Sequence, residues 1–272
     1  MVWNANGGDD GVMRGFGSSS YGDAFADVYD DWYHDISDVS ATVALLADLA
    51  GPGGDVLELG VGTGRLACPL ADLVGSVTGI DSSERMLARL VSNDPHGRVA
   101  PVVGDMVDDL PPGPFDLVFV AYNTLFNLLS AERQQACFAS VAAHLRPGGA
   151  FVVEVFVPRP PDTGMLDADR PDAGQDDTGL TVRSIAADRV VLSASRHDRD
   201  TQSAEGQFIE ITEAGGVRLR PWAIRWSTPD ELDEMAARAG FVLTNRWGDV
   251  DRSAFTADSA RHVSEYRTVS GG

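Results

Sequence analysis

A glycine-rich turn is the stretch of this sequence whose residue types point most directly to chemistry. The run LELGVGTGRLACPLA, residues 57–71, passes from an apolar segment to Gly60, Gly62 and Gly64 and then to a helical pattern. A strand that enters a helix through such a turn aims backbone N–H groups and the positive end of the helix dipole at the carboxyl edge of the sheet. The turn therefore predicts a small-molecule site, with a merely tight strand-to-helix turn as the alternative.

The spacing of these glycines distinguishes between two ligand families that use this kind of turn, dinucleotides and S-adenosylmethionine. The dinucleotide fingerprint G-x-G-x-x-G would require a glycine at position 65, where this chain has Arg65. The residue type at position 65 therefore favours S-adenosylmethionine over a dinucleotide.

Two carboxylates follow the next two predicted strands. Asp81 ends the segment VTGID, where a carboxylate can accept hydrogen bonds from both hydroxyls of an adenosine ribose. Asp105 lies in the turn GDM after the third strand, where it could accept the adenine amino group while Met106 lies against the ring. Each aspartate has an alternative interpretation. Asp81 and Glu84 match a helix-capping pattern, and an aspartate after a strand is an ordinary turn residue.

The elements that must position these residues alternate between short apolar runs and helical patterns. Strands are predicted at 56–59, 77–80, 99–103, 115–120 and 151–157, and helices near 64–73, 84–91 and 131–145. Apolar strands separated by helices indicate a parallel sheet that is covered on both faces. Before them, the spacing of apolar residues predicts one amphipathic helix from Tyr21 to Ile36 and a second over 39–49.

Residues 158–178 are rich in Pro, Asp and Gly and interrupt this alternation. Beyond them, TVRSIAADRVVLSASRHD, GQFIEIT and VRLRPWAIRW are predicted to be strands of an antiparallel insertion. The segment TPDE at 228–231 then predicts a capped helix that ends at Gly240, followed by strands at 241–247 and 262–269. The predicted organisation is a disordered tail over 1–18, an α/β domain over 19–157 and 228–272, and a mainly β insertion over 158–227.

The composition argues against several classes of partner. Acidic residues outnumber basic ones by 41 to 21, the sequence contains no lysine, and the formal net charge is −20. Such a surface repels a phosphate backbone, so we expect no nucleic-acid partner and no membrane partner. The chain has no signal-peptide pattern and no run of eighteen apolar residues, which predicts a soluble, cytoplasmic protein. Cys68 and Cys137 lack metal-ligand spacing, so we expect reduced core cysteines and no metal site.

The order of these motifs resembles that of the class I S-adenosylmethionine-dependent methyltransferases. The resemblance is carried by ELGVGTG, Asp81, the GDM turn, the strand FDLVFVAYN and the LRPGG turn before FVVEV. It implies an α/β, doubly wound, Rossmann-like fold with a seven-stranded sheet, six strands parallel and one antiparallel, and with S-adenosylmethionine across the strand ends. The cofactor-binding residues expected from it are Tyr29, Glu58, Gly60, Gly62, Gly64, Asp81, Ser82, Met86, Asp105, Met106 and Ala121.

A narrower resemblance, to the sugar N,N-dimethyltransferases of antibiotic pathways, rests on the first helix and the insertion. It is carried by Tyr21-x-x-x-x-Ala26-x-x-Tyr29-Asp30, the GDM turn, the V-V-E of the fifth strand and the strand-rich insertion after it. It implies that Tyr21 approaches the substrate amine, that Tyr29 helps to hold the cofactor, and that the insertion covers the site and contributes to a dimer. One departure is Asn127, which stands where that group has a histidine near the amine, so the acceptor stays open.

The candidate catalytic residues are Tyr21, Tyr122 and Glu154. Methyl transfer requires alignment and control of the acceptor's protonation; an amine needs only a weak base or carbonyl, whereas a hydroxyl needs a firmer base. Asn123, beside Tyr122, is equally a natural N-cap for a short helix. Glu154 is a charge within an apolar strand, so it either points into the pocket or pairs with an arginine such as Arg225.

Two further groups lie in segments that could cover the site. His197 and His262 are each interpreted as either a base or a surface residue. Arg220, Trp222 and Ile224 share one face of a predicted strand, which could clamp an anionic group such as a diphosphate or pack in a dimer interface.

Together these features predict transfer of a methyl group from S-adenosylmethionine to nitrogen or oxygen of a small molecule, a natural-product or nucleotide-sugar intermediate of secondary metabolism. Two alternatives stay open. One is C-methylation of an anionic metabolite such as a prenyl diphosphate, and the other is a cofactor-binding scaffold without turnover.

Overall fold

The computed structural model describes residues 13–35, 37–158 and 178–268. Outside these ranges lie residues 1–12 of the predicted tail, Ile36 at the end of the first predicted helix, residues 159–177 of the segment rich in Pro, Asp and Gly, and Val269 at the end of the last predicted strand. The described residues form a seven-stranded sheet with helices on both faces and a second sheet of four strands.

The seven-stranded sheet contains β1 (Asp55–Leu59), β2 (Ser76–Asp81), β3 (Val99–Val103), β4 (Phe115–Val120), β5 (Leu145–Phe156), β10 (Phe241–Trp247) and β11 (Arg261–Thr268). Its strand order is β10-β11-β5-β4-β1-β2-β3. β11 runs antiparallel to both of its neighbours, and all other pairs are parallel. The expected arrangement of six parallel strands and one antiparallel strand is confirmed.

Helices cover both faces of this sheet because its strands are apolar on both sides. On one face lie α3 (Val39–Ala50), α4 (Ala67–Leu70) and α5 (Glu84–Asn93), and on the other α6 (Ala131–His144) and α7 (Pro229–Arg238). Within β1, Leu57 and Leu59 pack towards Phe138 of α6, while Val56 packs towards Leu46 of α3. This alternation with a period of two is what a strand buried on both faces requires.

The insertion forms an antiparallel sheet of β6 (Thr178–Ile185), β7 (Arg189–Asp198), β8 (Ser203–Thr212) and β9 (Val217–Arg225), paired in chain order. The sequence predicted three strands here. The first predicted segment is in fact a hairpin, closed by a hydrogen bond from Ala186 N to Arg189 O of 2.8 Å. Its turn contains no glycine or proline, so the usual turn signal is absent.

The single helix predicted from Tyr21 is wrong in its continuity. The chain instead forms α1 (Ser20–Phe25) and α2 (Tyr29–Trp32), and α1 packs against both β9 and α5. At the break, Asp27 accepts hydrogen bonds from Arg218 and Arg220 of β9, each at 2.7 Å. The break therefore has a tertiary cause, which the local sequence pattern does not contain.

Two other predicted boundaries can be compared with the structure. The capping box of α7 is confirmed: Glu231 N lies 3.2 Å from Thr228 Oγ1, and Thr228 N lies 2.7 Å from Glu231 Oε2. β5 begins earlier than predicted, directly after α6 and within the LRPGG segment. Among the residues described, no helix combines the length and apolar character needed to cross a membrane.

Candidate active site

A cleft opens at the carboxyl ends of β1, β2 and β3, and residues of α1 line its opposite wall. Thr124, Asn127 and Leu128, from the segment after β4, line it as well. Because β4 and β2 lie on opposite sides of β1, the cleft has one end near β2 and β3 and another near residues 124–128. The predicted site residues that line it are Tyr21, Tyr29, Gly60, Gly62, Asp81, Ser82, Met86, Asp105 and Met106.

The three glycines of the turn have different structural reasons for being glycine. All adopt positive φ, at +68° for Gly60, +57° for Gly62 and +82° for Gly64. A Cβ at Gly60 would lie 2.3 Å from Cγ2 of Thr124, and one at Gly64 would lie 2.7 Å from Sγ of Cys68. A Cβ at Gly62 would meet no atom within 4 Å. The middle glycine therefore borders open space in the cleft, while the outer two allow close packing.

Asp81 ends β2 with both carboxylate oxygens engaged by backbone amides. Gly62 N donates to Oδ2 at 2.9 Å, and Ser83 N donates to Oδ1 at 2.8 Å. Burial raises the pKa of Asp81, and these two hydrogen bonds act in the opposite direction. The N-cap of α5 is Ser83, whose Oγ accepts from Met86 N at 3.2 Å. The alternative that Asp81 caps this helix is therefore wrong.

Glu58, which is buried, and Arg65, which is half-buried, lie close to each other beneath the glycine turn. Glu58 is 5% exposed, and burial raises the pKa of its carboxyl well above the ordinary value, against the opposing charge of Arg65. Among the described residues, neither Glu58 Oε2 nor Arg65 Nη2 has a hydrogen-bond partner. Unpaired buried groups of opposite charge fit the carboxylate and ammonium of an amino acid such as the methionine part of S-adenosylmethionine.

Arg65 is a residue whose role the sequence reasoning missed. Its Nη1 donates to the backbone oxygen of Tyr33 at 3.2 Å and to Ser37 Oγ at 3.3 Å, and its guanidinium lies 3.9 Å from the ring centroid of Tyr122. In the sequence, Arg65 was used only as an argument against a dinucleotide-binding site. The missed signal was a charged residue directly after the third glycine, where the chain turns into α4.

Asp105 lines the end of the cleft near β3 and is also a turn residue. Its Oδ1 accepts from Val107 N at 2.8 Å, which is an ordinary aspartate turn, and from Arg133 Nη2 at 2.6 Å. Arg133 extends from α6 and also pairs with Asp108 at 2.7 Å. Asp105 can be a turn residue and also accept a hydrogen bond from the adenine amino group, since its Oδ2 is not used by these contacts.

The helices α1 and α2 are attached to the cleft by two aspartates. Asp23 of α1 accepts from Ser83 Oγ at 2.7 Å, and Asp30 of α2 accepts from Thr63 Oγ1 at 2.6 Å. Gly22 allows α1 to cross α5 closely, because a Cβ there would lie 2.5 Å from Cβ of Ser83. These contacts hold the two helices against the glycine turn and the start of α5.

The attached helices carry the two tyrosines that line the cleft. The ring of Tyr21 stacks on Phe25 with centroids 4.4 Å apart, and that of Tyr29 lies 4.9 Å from Tyr33. Burial raises the pKa of both Tyr21 and Tyr29. Each hydroxyl therefore stays protonated near neutral pH, where it can position a ligand by hydrogen bonding.

Five predicted site residues do not line the cleft: Glu58, Gly64, Ala121, Tyr122 and Glu154. The hydroxyl of Tyr122 is hydrogen-bonded to Ser37 Oγ, and the ring packs in the core that includes α3. Glu154 is buried and pairs with Arg261 at 3.4 Å, with Tyr122 N at 3.4 Å from its other oxygen. The alternative that Glu154 pairs with an arginine is confirmed, although the arginine is Arg261 and not Arg225, which was named as the example.

Two further expectations differ from the structure at residues outside the cleft. The side chain of Asn123 accepts from Phe156 N at 2.7 Å and does not cap the following 3₁₀ turn. His262 is fully buried on β11, bonded to Ser264 Oγ at 2.8 Å, and burial lowers its pKa to about 3. The imidazole is thus neutral and enclosed, and His262 is neither a surface residue nor part of the cleft lining.

The face of β9 that carries Arg220 and Trp222 is turned towards α1. Arg220 is 1% exposed and pairs with Glu210 and Asp27, each at 2.7 Å. It also donates to the carbonyl oxygen of Ala24. Its charge is neutralised within the chain, so the prediction of an anion clamp at Arg220 is wrong. The buried position equally removes this face from a dimer interface.

Comparison with known proteins agrees with this architecture. Residues 56–149 match a family model described as a methyltransferase domain. The cypemycin N-terminal methyltransferase of a Streptomyces species is 30% identical over 207 residues, which cover 76% of this chain and 80% of that protein. A dTDP-3-amino-3,4,6-trideoxy-alpha-D-glucopyranose N,N-dimethyltransferase of Streptomyces venezuelae is 31% identical over 134 residues, 47% of this chain and 56% of that protein.

A solved structure extends the similarity to nearly the whole chain. The CcbJ methyltransferase from Streptomyces caelestis is 38% identical in sequence, with a TM-score of 0.80. The similarity covers 93% of this chain and 100% of that protein. The central sheet and the four-stranded insertion therefore occur together in a known relative.

Proposed function

This chain belongs to the class I S-adenosylmethionine-dependent methyltransferases, and from that premise we propose that it methylates an amine nitrogen of a natural-product or nucleotide-sugar intermediate. The bound cofactor supplies an electrophilic methyl group. The residues of the chain must hold the acceptor nitrogen in line with that group, exclude water and accept a hydrogen bond from the amine.

The observation that carries this proposal is the chemistry of the cleft end opposite β2 and β3. The polar side chains of that end are the hydroxyl of Thr124 and the amide of Asn127, and Tyr21 of α1 lines the same cleft. Among the described residues that line the cleft, the carboxylates are Asp81 and Asp105, at the ends of β2 and β3, and none is a histidine. Such a site suits an amine, which needs a hydrogen-bond acceptor, better than a hydroxyl, which needs a strong base.

Charge supports the same choice of acceptor. A net charge of −20 attracts cationic amines. Arg220, which was expected to clamp a diphosphate, is engaged within the chain, and so is Arg225, by Gln134 at 3.1 Å and Gln202 at 2.9 Å. C-methylation of a prenyl diphosphate is therefore the weaker alternative.

The proposal is tested by incubating the full chain with methyl-labelled S-adenosylmethionine and three amines. These are L-prolinamide, an alanyl dipeptide with a free N-terminus, and a dTDP-amino sugar, each with a matched analogue in which a hydroxyl or hydrogen replaces the amine. We expect label on at least one amine and on none of the analogues, read by mass spectrometry. Label on hydroxyl analogues alone, or on no compound, would refute amine methylation.

Tyr21→Phe serves as the internal control for that assay. Because the Tyr21 hydroxyl lines the cleft while that of Tyr122 bonds to Ser37, we expect Tyr21→Phe to lower kcat/KM more than Tyr122→Phe does. The reverse order would return Tyr122 to the catalytic role that the sequence suggested.

We also propose that the chain forms a homodimer through the outer face of the four-stranded sheet. Apolar side chains line up on this face through the pairs Val182–Leu192, Leu192–Ile209 and Ile209–Leu219. The side chains more than half exposed on this face are Leu180, Val182, Ile185, Val217 and Leu219. A contiguous exposed apolar face of this kind usually marks an association site, and two-fold dimers are the commonest assembly.

A charge placed on that face tests the dimer. By size-exclusion chromatography with light scattering, we expect the wild-type chain to have twice the monomer mass. We expect Leu219→Asp to be a folded monomer, because the dimer interface would bury its unpaired carboxylate. Val242→Asp is the matched control, since Val242 is equally exposed but lies on β10 of the other sheet. A wild-type monomer, or a dimer that survives Leu219→Asp, would contradict this interface.

A further inference from the structure

Trp222 carries a buried polar atom that the rest of the described chain leaves unpaired. Trp222 is 8% exposed, and its indole Nε1–H has no hydrogen-bond partner among the described residues. Buried tryptophan N–H groups usually find an acceptor, because an unpaired buried donor is costly. A donor of this kind is expected where a ligand provides the acceptor atom.

The neighbours of Trp222 on β9 indicate which elements its side of the strand approaches. Arg220, two residues earlier, bonds a backbone carbonyl of α1, and Ile224, two residues later, packs on the core cluster that includes Leu128. Alternate residues of a strand share a face. Trp222 is not itself among the residues that line the cleft, but its strand face is directed towards α1 and the segment 124–128, both of which contribute residues to that lining.

The position of the indole is set by packing on both sides. Gly206 pairs with Trp222 across the β8–β9 ladder, and a Cβ at 206 would lie 2.7 Å from Cζ2 and 2.8 Å from Cε2 of the indole. The ring of Phe208 lies 6.3 Å from that of Trp222. The indole thus rests on the bare backbone of β8, and its N–H is held in place before any ligand binds.

We propose that the indole N–H of Trp222 donates a hydrogen bond to an oxygen of the methyl acceptor. The substrate class is then an amine that also bears a carbonyl, carboxylate or hydroxyl oxygen. This inference rests on the proposed amine methylation and adds the second point by which the acceptor is held. A site built to bond an oxygen discriminates strongly against an analogue without it, because the donor is then left unpaired. Trp222 therefore determines specificity and takes no part in the transfer step.

Trp222→Phe tests the proposal because it keeps an aromatic ring and removes the N–H group. We expect the variant to stay folded by circular dichroism, with some loss of stability because the smaller ring leaves space at a buried position. We expect KM for the methylated amine to rise about fivefold, with kcat within about twofold, as for loss of one neutral hydrogen bond. Trp226→Phe, on the same segment, should leave KM unchanged.

A direct readout uses the indole ¹⁵N–¹H resonance of Trp222 in the complex with S-adenosylhomocysteine. We expect it to shift on addition of L-prolinamide and to stay in place with pyrrolidine, which has the amine but no oxygen. An unchanged KM in the folded Trp222→Phe chain, or a resonance that moves with none of the three amine probes, would overturn the proposal. Failure of amine methylation looks different, since label would be absent from amines while the resonance still responds to oxygen-bearing probes.

Discussion

Asp81→Ala should weaken binding of S-adenosylhomocysteine by about 100-fold or more while the chain stays folded. The carboxylate ends β2 inside the cleft, and its oxygens are oriented by Gly62 N and Ser83 N at 2.9 and 2.8 Å. In that position it is available to the two ribose hydroxyls, and hydrogen bonds to a charged group contribute about 1.5–3 kcal/mol each. Titration calorimetry on the purified variant measures the loss.

Asp81→Asn is the matched control for the ribose role. It preserves the shape and one oxygen acceptor, so it should bind the cofactor product more tightly than Asp81→Ala and less tightly than the wild type. Asp109→Ala removes a different carboxylate, which accepts a hydrogen bond of 2.9 Å from Asp105 N in the turn after β3. Asp109 is not among the residues that line the cleft, so this variant should lose less affinity for S-adenosylhomocysteine than Asp81→Ala does. Unchanged affinity in a folded Asp81→Ala chain would remove Asp81 from the cofactor site.

Arg220→Leu should lower the free energy of unfolding by about 3 kcal/mol or more, because it removes the closer of the two ion-pair partners of the buried Glu210, whose other partner, Arg189, lies 3.4 Å away. Arg220 is 1% exposed, and Glu210, which it pairs with at 2.7 Å, is 8% exposed. The same guanidinium holds Asp27 and a carbonyl of α1, so the variant also loosens the helix that carries Tyr21. Urea unfolding followed by circular dichroism measures the change.

Arg218→Leu provides a closely matched control. Arg218 bonds the same Asp27 at 2.7 Å, but its side chain is 48% exposed. An exposed ion pair contributes no more than about 1 kcal/mol. The double variant Arg220→Leu, Glu210→Leu should recover part of the lost stability, since the charge left unpaired is removed. Equal losses for Arg218→Leu and Arg220→Leu would show that burial of Arg220 is not the source of the effect.

The sequence predicted the cofactor end of the site because that end is built from local signals. Gly60, Gly62 and Gly64 directly follow β1, Asp81 ends β2, and Asp105 follows β3. In a parallel sheet the carboxyl ends of strands meet at one edge, so a pattern repeated along the chain is enough to place these residues together. All of them except Gly64 line the cleft.

The residues that the sequence misjudged depend on contacts between distant segments. Arg65 reaches Ser37 and Tyr122, and Glu154 pairs with Arg261 across 107 positions of sequence. The break between α1 and α2 occurs at Asp27, which is bonded to β9 more than 190 positions away. Side-chain periodicity contains no information on such pairings, because they arise only when the sheets and helices pack.

The sequence alone therefore predicted the fold class, the order of the motifs that follow the strands, and S-adenosylmethionine as the methyl donor. Each of these predictions follows from short-range patterns of apolar residues, glycines and carboxylates. Only the tertiary structure decided what faces the acceptor. It turned Tyr122 and Glu154 away from the cleft, neutralised Arg220 and left the Trp222 N–H without a partner among the described residues. The physical reason is that the end of the cleft away from β2 and β3 is formed by α1 and the segment after β4, and that the inserted sheet packs against both, so that three distant parts of the chain meet only on folding.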